Sequence, residues 1–277
     1  MSESDIPDVT VRGVDVPSLG LGTWRLAGED CRRAVETALE LGYRHLDTAQ
    51  AYGNERQVGD AIAAADVDRE DLFLTTKLVN GNRDYDSVLR STEESLAKLG
   101  TSYVDCLLIH NPMQRAPISE TLRAMDELVD DGKVRYIGVS NFDVDRLHAA
   151  REAADHELLT NQVQFNPYWD QRELLDYCEI HDLLLTAYSP LGHGGVLEDS
   201  VLAEVGERYG KSAAQVAIRW CLEHPNVSVI PKASSRTHLA ANRDVFDFSL
   251  TDEEVERIRR PSKVRALSGA VRSRLGV

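Results

Sequence analysis

Lysine is scarce in this 277-residue chain: of 31 basic residues only six are lysine (77, 98, 133, 211, 232 and 263) and the other 25 are arginine. Set against 46 acidic residues, this leaves a net charge of −15. Such a balance argues against nucleic acid or an anionic membrane surface as partner, because both are bound through clustered Lys and Arg. Acidic excess with so little lysine resembles the surfaces of proteins that work in concentrated salt, a halophilic pattern in which screening relieves self-repulsion. Cysteine is equally thin. Cys31, Cys106, Cys178 and Cys221 are scattered with no C-x-x-C pair and are expected as buried free thiols. No apolar run approaches the ~20 residues of a membrane span. The first residues, MSESDIPDV, lack the basic and apolar regions of a signal peptide, so a cytoplasmic protein is expected.

Several common signatures are missing as well. There is no H-E-x-x-H for a zinc hydrolase. Gly20-Leu21-Gly22 has no third glycine where a dinucleotide fingerprint requires one, and no acidic partner in register. Before Gly210-Lys211-Ser212, Val205 stands where a phosphate-cradling loop needs glycine. Gly138-Val139-Ser140-Asn141-Phe142 lacks the closing glycine of a nucleophile elbow. No internal repeat, low-complexity segment or Pro/Gly/Ser-rich linker divides the chain.

What is present is alternation. Apolar strand-like runs fall at 19–22, 44–48, 72–77, 103–109, 134–139, 160–164, 182–187 and 226–230. Between them lie amphipathic stretches near 30–41, 55–64, 86–98, 117–131, 143–153, 171–180, 212–223 and 235–242. Asn54 opens the second of these helices, with Glu55 in its first turn. Each strand is too apolar for one solvated face, which implies a parallel sheet covered by helices. Closed on itself, that α/β sheet is a (β/α)8 TIM barrel occupying 1–277 as a single domain. An open doubly wound sheet is the alternative, weakened by the missing glycine fingerprint. A β-hairpin around Gly13, at 9–18, is expected as an N-terminal cap. Extra helices are expected at 199–208 and at 251–260, where Thr251 and Glu254 form a capping box.

A barrel carries its chemistry at the carboxyl ends of its strands. Those ends read Asp47, Lys77, His110, Ser140-Asn141, Gln162, Tyr188-Ser189 and Lys232. Polar groups closing apolar runs are costly unless paired or wet, and so many on one rim amount to a site. Five residues beyond Asp47 comes Tyr52, in a turn with Gly53 and Asn54. A tyrosine with its ordinary pKa of ~10 is a poor proton donor at neutral pH. A nearby ammonium lowers that value, and a carboxylate keeps the ammonium charged. Asp47, Lys77 and Tyr52 are therefore a coherent acid–base set, with His110 placed to orient a carbonyl oxygen. No side chain here supplies reducing equivalents, so a hydride would come from a cofactor. His45 is read as pointing away from the neighbours of Asp47 and receives no role. Asp105 is read as supporting or structural, and Trp220 as core.

The strings GYRHLDTAQAYGNE (42–55), YVDCLLIHNP (103–112), IGVSNF (137–142), NQVQFNP (161–167), AYSPLG (187–192) and IPKASSRTHLAAN (230–242), in this order, resemble the aldo-keto reductase family. The likeness runs from LGLGTW (19–24) to VFDFSL (245–250). It implies a (β/α)8 barrel enzyme reducing small-molecule aldehydes and ketones with NADPH, less often NADH; a monomeric or weakly associating protein is expected. Carried onto this chain, it makes Tyr52 the acid, Lys77 and Asp47 its tuners and His110 the orienter. Tyr188 would stack on the nicotinamide, with Ser140, Asn141 and Gln162 on its carboxamide and Gly22 and Thr23 beside the cofactor. Ser189 and Leu191 would follow the pyrophosphate, and Lys232, Ser234, His238 and Asn242 the adenosine end. Trp24, Tyr52, His110 and Asn111 would wall the substrate pocket.

Two places depart from the family pattern. Asn111 follows the histidine where a tryptophan is common, which suggests a smaller, more polar wall. At the cofactor end His238 replaces the arginine that grips a 2′-phosphate, and Ala233 replaces the serine after the lysine. The short basic tail at 261–277 lies where the family shapes its substrate pocket, which suggests an open, permissive site. The charge pattern generates a first prediction. The melting temperature and activity should rise steeply between roughly 0.1 M and 1 M salt, as the screening length falls from ~10 Å to ~3 Å. A melting temperature flat across that range would contradict the high-salt reading.

Overall fold

The computed structural model describes residues 6–81, 83–112 and 116–259; the basic tail at 261–277 lies outside the described residues. Two short strands, β1 (Asp8–Val11) and β2 (Val14–Pro17), form an antiparallel hairpin. Its two-residue turn, Arg12-Gly13, has positive φ at both positions (53° and 74°), as a turn that follows the strand twist requires. Eight parallel strands follow: β3 (Gly20–Gly22), β4 (His45–Asp47), β5 (Phe73–Leu78), β6 (Val104–Ile109), β7 (Val134–Ser140), β8 (Leu158–Gln164), β9 (Leu184–Tyr188) and β10 (Val227–Val229). Each pairs with the next in sequence order. The first and last meet through a parallel bridge between Leu19 and Val229, with the Val229 N–H donating to Ser18 O at 2.8 Å. The sheet is thus closed, and the open alternative is set aside.

The helices α1 (Gly28–Glu40), α2 (Glu55–Ala64), α3 (Tyr85–Leu99), α4 (Ile118–Asp130), α5 (Val144–Ala153), α6 (Arg172–Ile180), α7 (Ser200–Tyr209), α8 (Ala213–Leu222), α9 (Arg236–Arg243) and α10 (Asp252–Arg259) complete the described chain. Local rules explain their ends. The Asp84 side chain accepts from the Ser87 N–H at the start of α3, and Gly100 ends that helix with φ 68°. Ser212 and Gln215 form a capping box on α8, and Thr251 and Glu254 do the same before α10. None of these described helices is long and apolar enough to cross a membrane.

Burial divides into two layers. Between strands and helices lies the larger core, with Leu21, Leu46, Leu74, Leu107, Ile137 and Leu185 on its strand side. Inside the barrel a smaller cluster joins Phe73, Cys106, Leu108, Leu159 and Leu184 to Val11 and Val16 of the hairpin. The hairpin is therefore a plug at the amino ends of the strands. Arg12 locks it there: its N–H donates to Asp182 Oδ2 (2.7 Å), and its guanidinium reaches His181 O (2.8 Å) and pairs with Glu157. With that end sealed, the carboxyl ends form the open face.

His45 corrects the sequence reading. Strand alternation has a period of two, so residues 45 and 47 share a face, and His45 lies buried inside the barrel, edge-on to Phe73 at 5.1 Å. Burial holds its imidazole below the ordinary pKa. Asp105 is structural. It accepts from the Leu74 N–H (2.9 Å) and pairs with Arg69 (2.7 Å) and Arg135 (2.9 Å). Trp220 is fully buried, and all four cysteines are buried free thiols.

Candidate active site

The rim is built around a charge that the core should not tolerate. β5 is buried along its whole length, Lys77 included. An isolated ammonium there would give up its proton. Instead Lys77 Nζ donates to Asp47 Oδ1 (2.5 Å), on the adjacent strand, and to Thr48 O (2.8 Å). The other oxygen of Asp47 accepts from Gln162 Nε2 at 2.7 Å, from across the barrel. Burial pulls the ammonium down, but Asp47 and the Tyr52 phenol together carry it above its ordinary pKa.

Tyr52 ends a short 3₁₀ turn (Gln50–Tyr52) held from beneath by Gln50, which donates to Ser91 O and Ser95 Oγ and accepts from the Val79 N–H. The Tyr52 hydroxyl stands 3.5 Å from Lys77 Nζ. Here the structure departs from the sequence expectation of a lowered phenol pKa. Burial raises it, and Lys77 offsets only part of that rise. The His110 ring faces Tyr52 edge-on, with centroids 5.7 Å apart. Burial, then Lys77, pushes its imidazole down to about 4, so it is neutral at pH 7.

The other rim residues interlock. Ser140 Oγ donates to Gln162 O (2.8 Å). Asn141 adopts φ 63° and donates to His110 O (3.1 Å) and Ser140 Oγ (3.0 Å), while its Oδ1 accepts from the Tyr188 hydroxyl (2.8 Å). Ser189, also left-handed at φ 50°, is fixed by Asn166 Nδ2 on its carbonyl at 3.0 Å. Thr23 is buried and donates from both N–H and hydroxyl to Asp47 O, each at 3.0 Å.

A cavity of about 470 Å³ opens over this set. Of the residues singled out in the sequence, Gly22, Trp24, Asp47, Tyr52, His110, Ser140, Asn141, Gln162, Tyr188, Ser189 and Lys232 line it. Leu191, Ser234, His238, Asn242 and Asn111 are not among its lining residues. Leu191 packs on the outer core, Asn242 is buried, and Ser234 and His238 are exposed around the start of α9. The Asn111 carbonyl accepts from Arg83 at 3.2 Å. Sequence reasoning missed Ala51, Gln164, His193 and Ile230, which also line the cavity. His193 meets Trp24 edge-on at 6.0 Å from a glycine-flanked stretch with positive φ at residues 192–194. The run Gly192-His193-Gly194-Gly195 was the available signal.

Lys232 differs from the other described lysines. Lys77, Lys98, Lys133 and Lys211 each pair with a carboxylate, whereas Lys232 is exposed at the cavity mouth with no ion pair among the described residues. Arg236 is turned outward to Glu40 at 2.6 Å. No cluster of three or more His, Cys, Asp or Glu able to hold a metal occurs among the described residues.

Fold and rim define a class: a (β/α)8 barrel enzyme with a buried carboxylate–lysine pair beneath a tyrosine and a neutral histidine. The chain belongs to the aldo/keto reductase family, whose model matches residues 18–262. It is 41% identical over 254 residues to an aldo-keto reductase of Mycolicibacterium smegmatis (91% of this chain, 92% of the other). It is 40% identical over 247 residues to the glyoxal reductase of Bacillus subtilis (89% of each). Among solved structures, a putative 2,5-diketo-D-gluconic acid reductase B superposes with a TM-score of 0.91 at 41% identity, covering 94% of each chain. A Bombyx mori aldo-keto reductase in complex with NADP gives 0.87 at 35% identity over 92% of each. The chain is accordingly an oxidoreductase of the carbonyl-reducing kind.

The depressed histidine generates a prediction with a definite sign. Between its ordinary value of 6.5 and about 4, the unfolded chain binds a proton at His110 that the folded site refuses. The stability it contributes is full above pH ~6.5 and is lost as pH falls toward the folded value. The imidazole resonance assigned by its disappearance in His110→Gln should titrate near 4; a midpoint near 6.5 would show that the ring is not desolvated.

Proposed function

We propose that the protein reduces small-molecule aldehydes and ketones by hydride transfer from a nicotinamide dinucleotide, NADPH in preference to NADH, with Tyr52 as proton donor. The observation that carries this reading is the hydrogen-bonded chain Gln162–Asp47–Lys77–Tyr52, in which Gln162, Asp47 and Tyr52 line the cavity and Lys77 lies fully buried behind them. A phenol raised by burial keeps its proton at pH 7 and is an acid in the correct state. When it gives that proton to a carbonyl oxygen, the phenolate forms 3.5 Å from a fixed ammonium, which stabilises it without reorganisation. The neutral His110 can donate a hydrogen bond to the same oxygen and aim the carbonyl.

The residues present fit the cofactor. Gln162 commits Nε2 to Asp47, and its Oε1 has no protein partner among the described residues. That oxygen offers an acceptor for a carboxamide N–H beside the Tyr188 ring, and Ser140 and Asn141 would reach the same group by exchanging their rim bonds for it. Lys232 at the mouth, Ser234, His238 and Asn242 would hold the adenosine end, near the start of α9. Gly22, Thr23, Ser189 and Leu191 would line its path. When bound, the nicotinamide supplies the hydride that no side chain here can provide. Trp24 would wall the substrate.

Replacing Tyr52 by Phe should cut turnover by roughly 10²–10⁴-fold, the range for a positioned acid, while leaving dinucleotide affinity nearly unchanged. Retention of most of the wild-type kcat would remove Tyr52 from the role.

Cofactor preference generates a separate prediction. Lys232 offers a phosphate one point charge, but the bidentate arginine fork is absent: position 238 is His, and Arg236 is engaged with Glu40. NADPH should be preferred by a modest margin and NADH should remain usable. His238→Arg should lower the KM for NADPH several-fold, about 1 kcal/mol or more for a charge-assisted bond, and leave that for NADH little changed. Equal improvement of both would show that the 2′-phosphate lies elsewhere.

A further inference from the structure

Asn54 is where the sequence rules for a helix start fail. It occupies the cap position of α2, yet its side chain makes no cap bond among the described residues. A cap bond of that kind is a usual source of local helix stability, and here the amide is used elsewhere. Asn54 is buried, and both ends of its amide are engaged. Its Oδ1 accepts from Thr48 Oγ1 (2.8 Å), and its Nδ2 donates to Thr23 O (2.9 Å) and Leu26 O (3.0 Å).

Those partners belong to two different walls of the cavity. Thr48 follows Asp47 and gives its own carbonyl to Lys77, and Tyr52 lies two residues before Asn54 across a left-handed Gly53 (φ 68°). Thr23 and Leu26 bracket Trp24 and Arg25. Arg25 is left-handed at φ 64°, a conformation that non-glycine residues rarely hold without external support. Its guanidinium lies over the Trp24 ring at 4.3 Å. Trp24 itself is 41% exposed, so core packing alone does not immobilise it. One amide therefore joins the loop that carries the acid to the loop that carries the indole.

We propose that Asn54 is a specificity-determining positioning residue: its side chain fixes the Trp24 wall relative to the Tyr52 hydroxyl and so sets the size of carbonyl substrate the cavity admits. This rests on the reading of Tyr52 as acid and of the cavity as the substrate site. Asparagine suits the task because it is an acceptor toward Thr48 and a double donor toward two carbonyls. The substitution Asn54→Asp keeps the shape of the side chain but turns a carboxylate toward the Thr23 and Leu26 oxygens.

The test uses the full-length protein with Trp169→Phe, which removes the other exposed indole and leaves Trp24 and the buried Trp220. In that background, Asn54→Asp should shift Trp24 emission to longer wavelength and increase its quenching by acrylamide. With NADPH, kcat/KM for a bulky aromatic aldehyde relative to a short aliphatic one should change by about tenfold or more, the scale on which a pocket wall discriminates. The dinucleotide Kd should stay near wild type. Adding Trp24→Ala should abolish the effect of Asn54→Asp on that ratio, because residues acting through one another are not additive. Thr48→Val, which removes only the donor to Oδ1, should shift emission and ratio in the same direction by less; it answers the question if Asn54→Asp does not fold. Unchanged Trp24 quenching, or equal losses for both aldehydes and for dinucleotide binding, would overturn the proposal. A wild-type protein inactive on every aldehyde, with the quenching change still present, would overturn the reductase reading while supporting the link between the two loops.

Discussion

The rest of the molecule is arranged so that Lys77 and Asp47 can remain charged inside it. Both are almost fully buried, on neighbouring strands of a barrel whose other end is stoppered by apolar side chains. Desolvating two ions costs several kcal/mol each, and only close geometry with the remaining lone pairs and protons satisfied offsets that. Thr48 O and Gln162 Nε2 provide the satisfaction, the latter from the far side of the barrel. Removing one partner of a buried pair leaves an uncompensated charge and typically costs about 3–5 kcal/mol. The pair is thus a stability constraint and the electrostatic base of the site at once. The ammonium also stands 3.5 Å from the Tyr52 hydroxyl, where it favours the phenolate.

The two ends of the barrel follow from that requirement. Below, Val11 and Val16 fill the interior beneath Phe73 and Leu184, and Arg12 pins the hairpin through residues far along the chain. Apolar filling keeps water from reaching the ion pair from beneath. Above, left-handed Asn141 and Ser189 turn the chain sharply off β7 and β9. Strain of that kind persists only where surrounding bonds over-determine it, and here Tyr188, His110 and Asn166 supply them. The polar groups of the open rim are thus cross-linked to one another.

Much of this was legible in the sequence, for identifiable reasons. Strand and helix positions emerged because apolar period and local punctuation agree along the chain; Gly100 and the Ser212–Gln215 box mark ends wherever they occur. The rim emerged because a polar residue ending an apolar strand has few structural explanations. What escaped depends on distant partners. Asn54 reads as a cap because its actual partners, Thr23 and Leu26, lie 31 and 28 residues away. The direction of the Tyr52 shift depends on burial, a sum over neighbours that no motif encodes. His193 sits in a glycine-rich loop whose path is set by tertiary packing, with Gly192 and Gly195 against the Tyr168 ring. His45 is a different matter, since a period of two already places it with Asp47.

The same energetic distinction orders the ion pairs on the outside. Arg236–Glu40 and Arg33–Asp30 are exposed on both sides, and pairs of that kind are worth about 0–1 kcal/mol and weaken with salt. They cannot offset the repulsion among 46 carboxylic side chains, so they serve as local neutralisation rather than as anchors. Lysine, the compact and strongly hydrated cation, is used more selectively. Among the described residues four lysines pair with carboxylates, Lys77 in full burial, and only Lys232, on the mouth of the cavity, stands without one. In so negative a protein an anion approaching that mouth meets opposition across the surface field, and a short-range cation acts within the ~10 Å or less that screening allows. An unpaired lysine at that one place is therefore the local charge that an acidic surface must retain if an anionic ligand is to enter there.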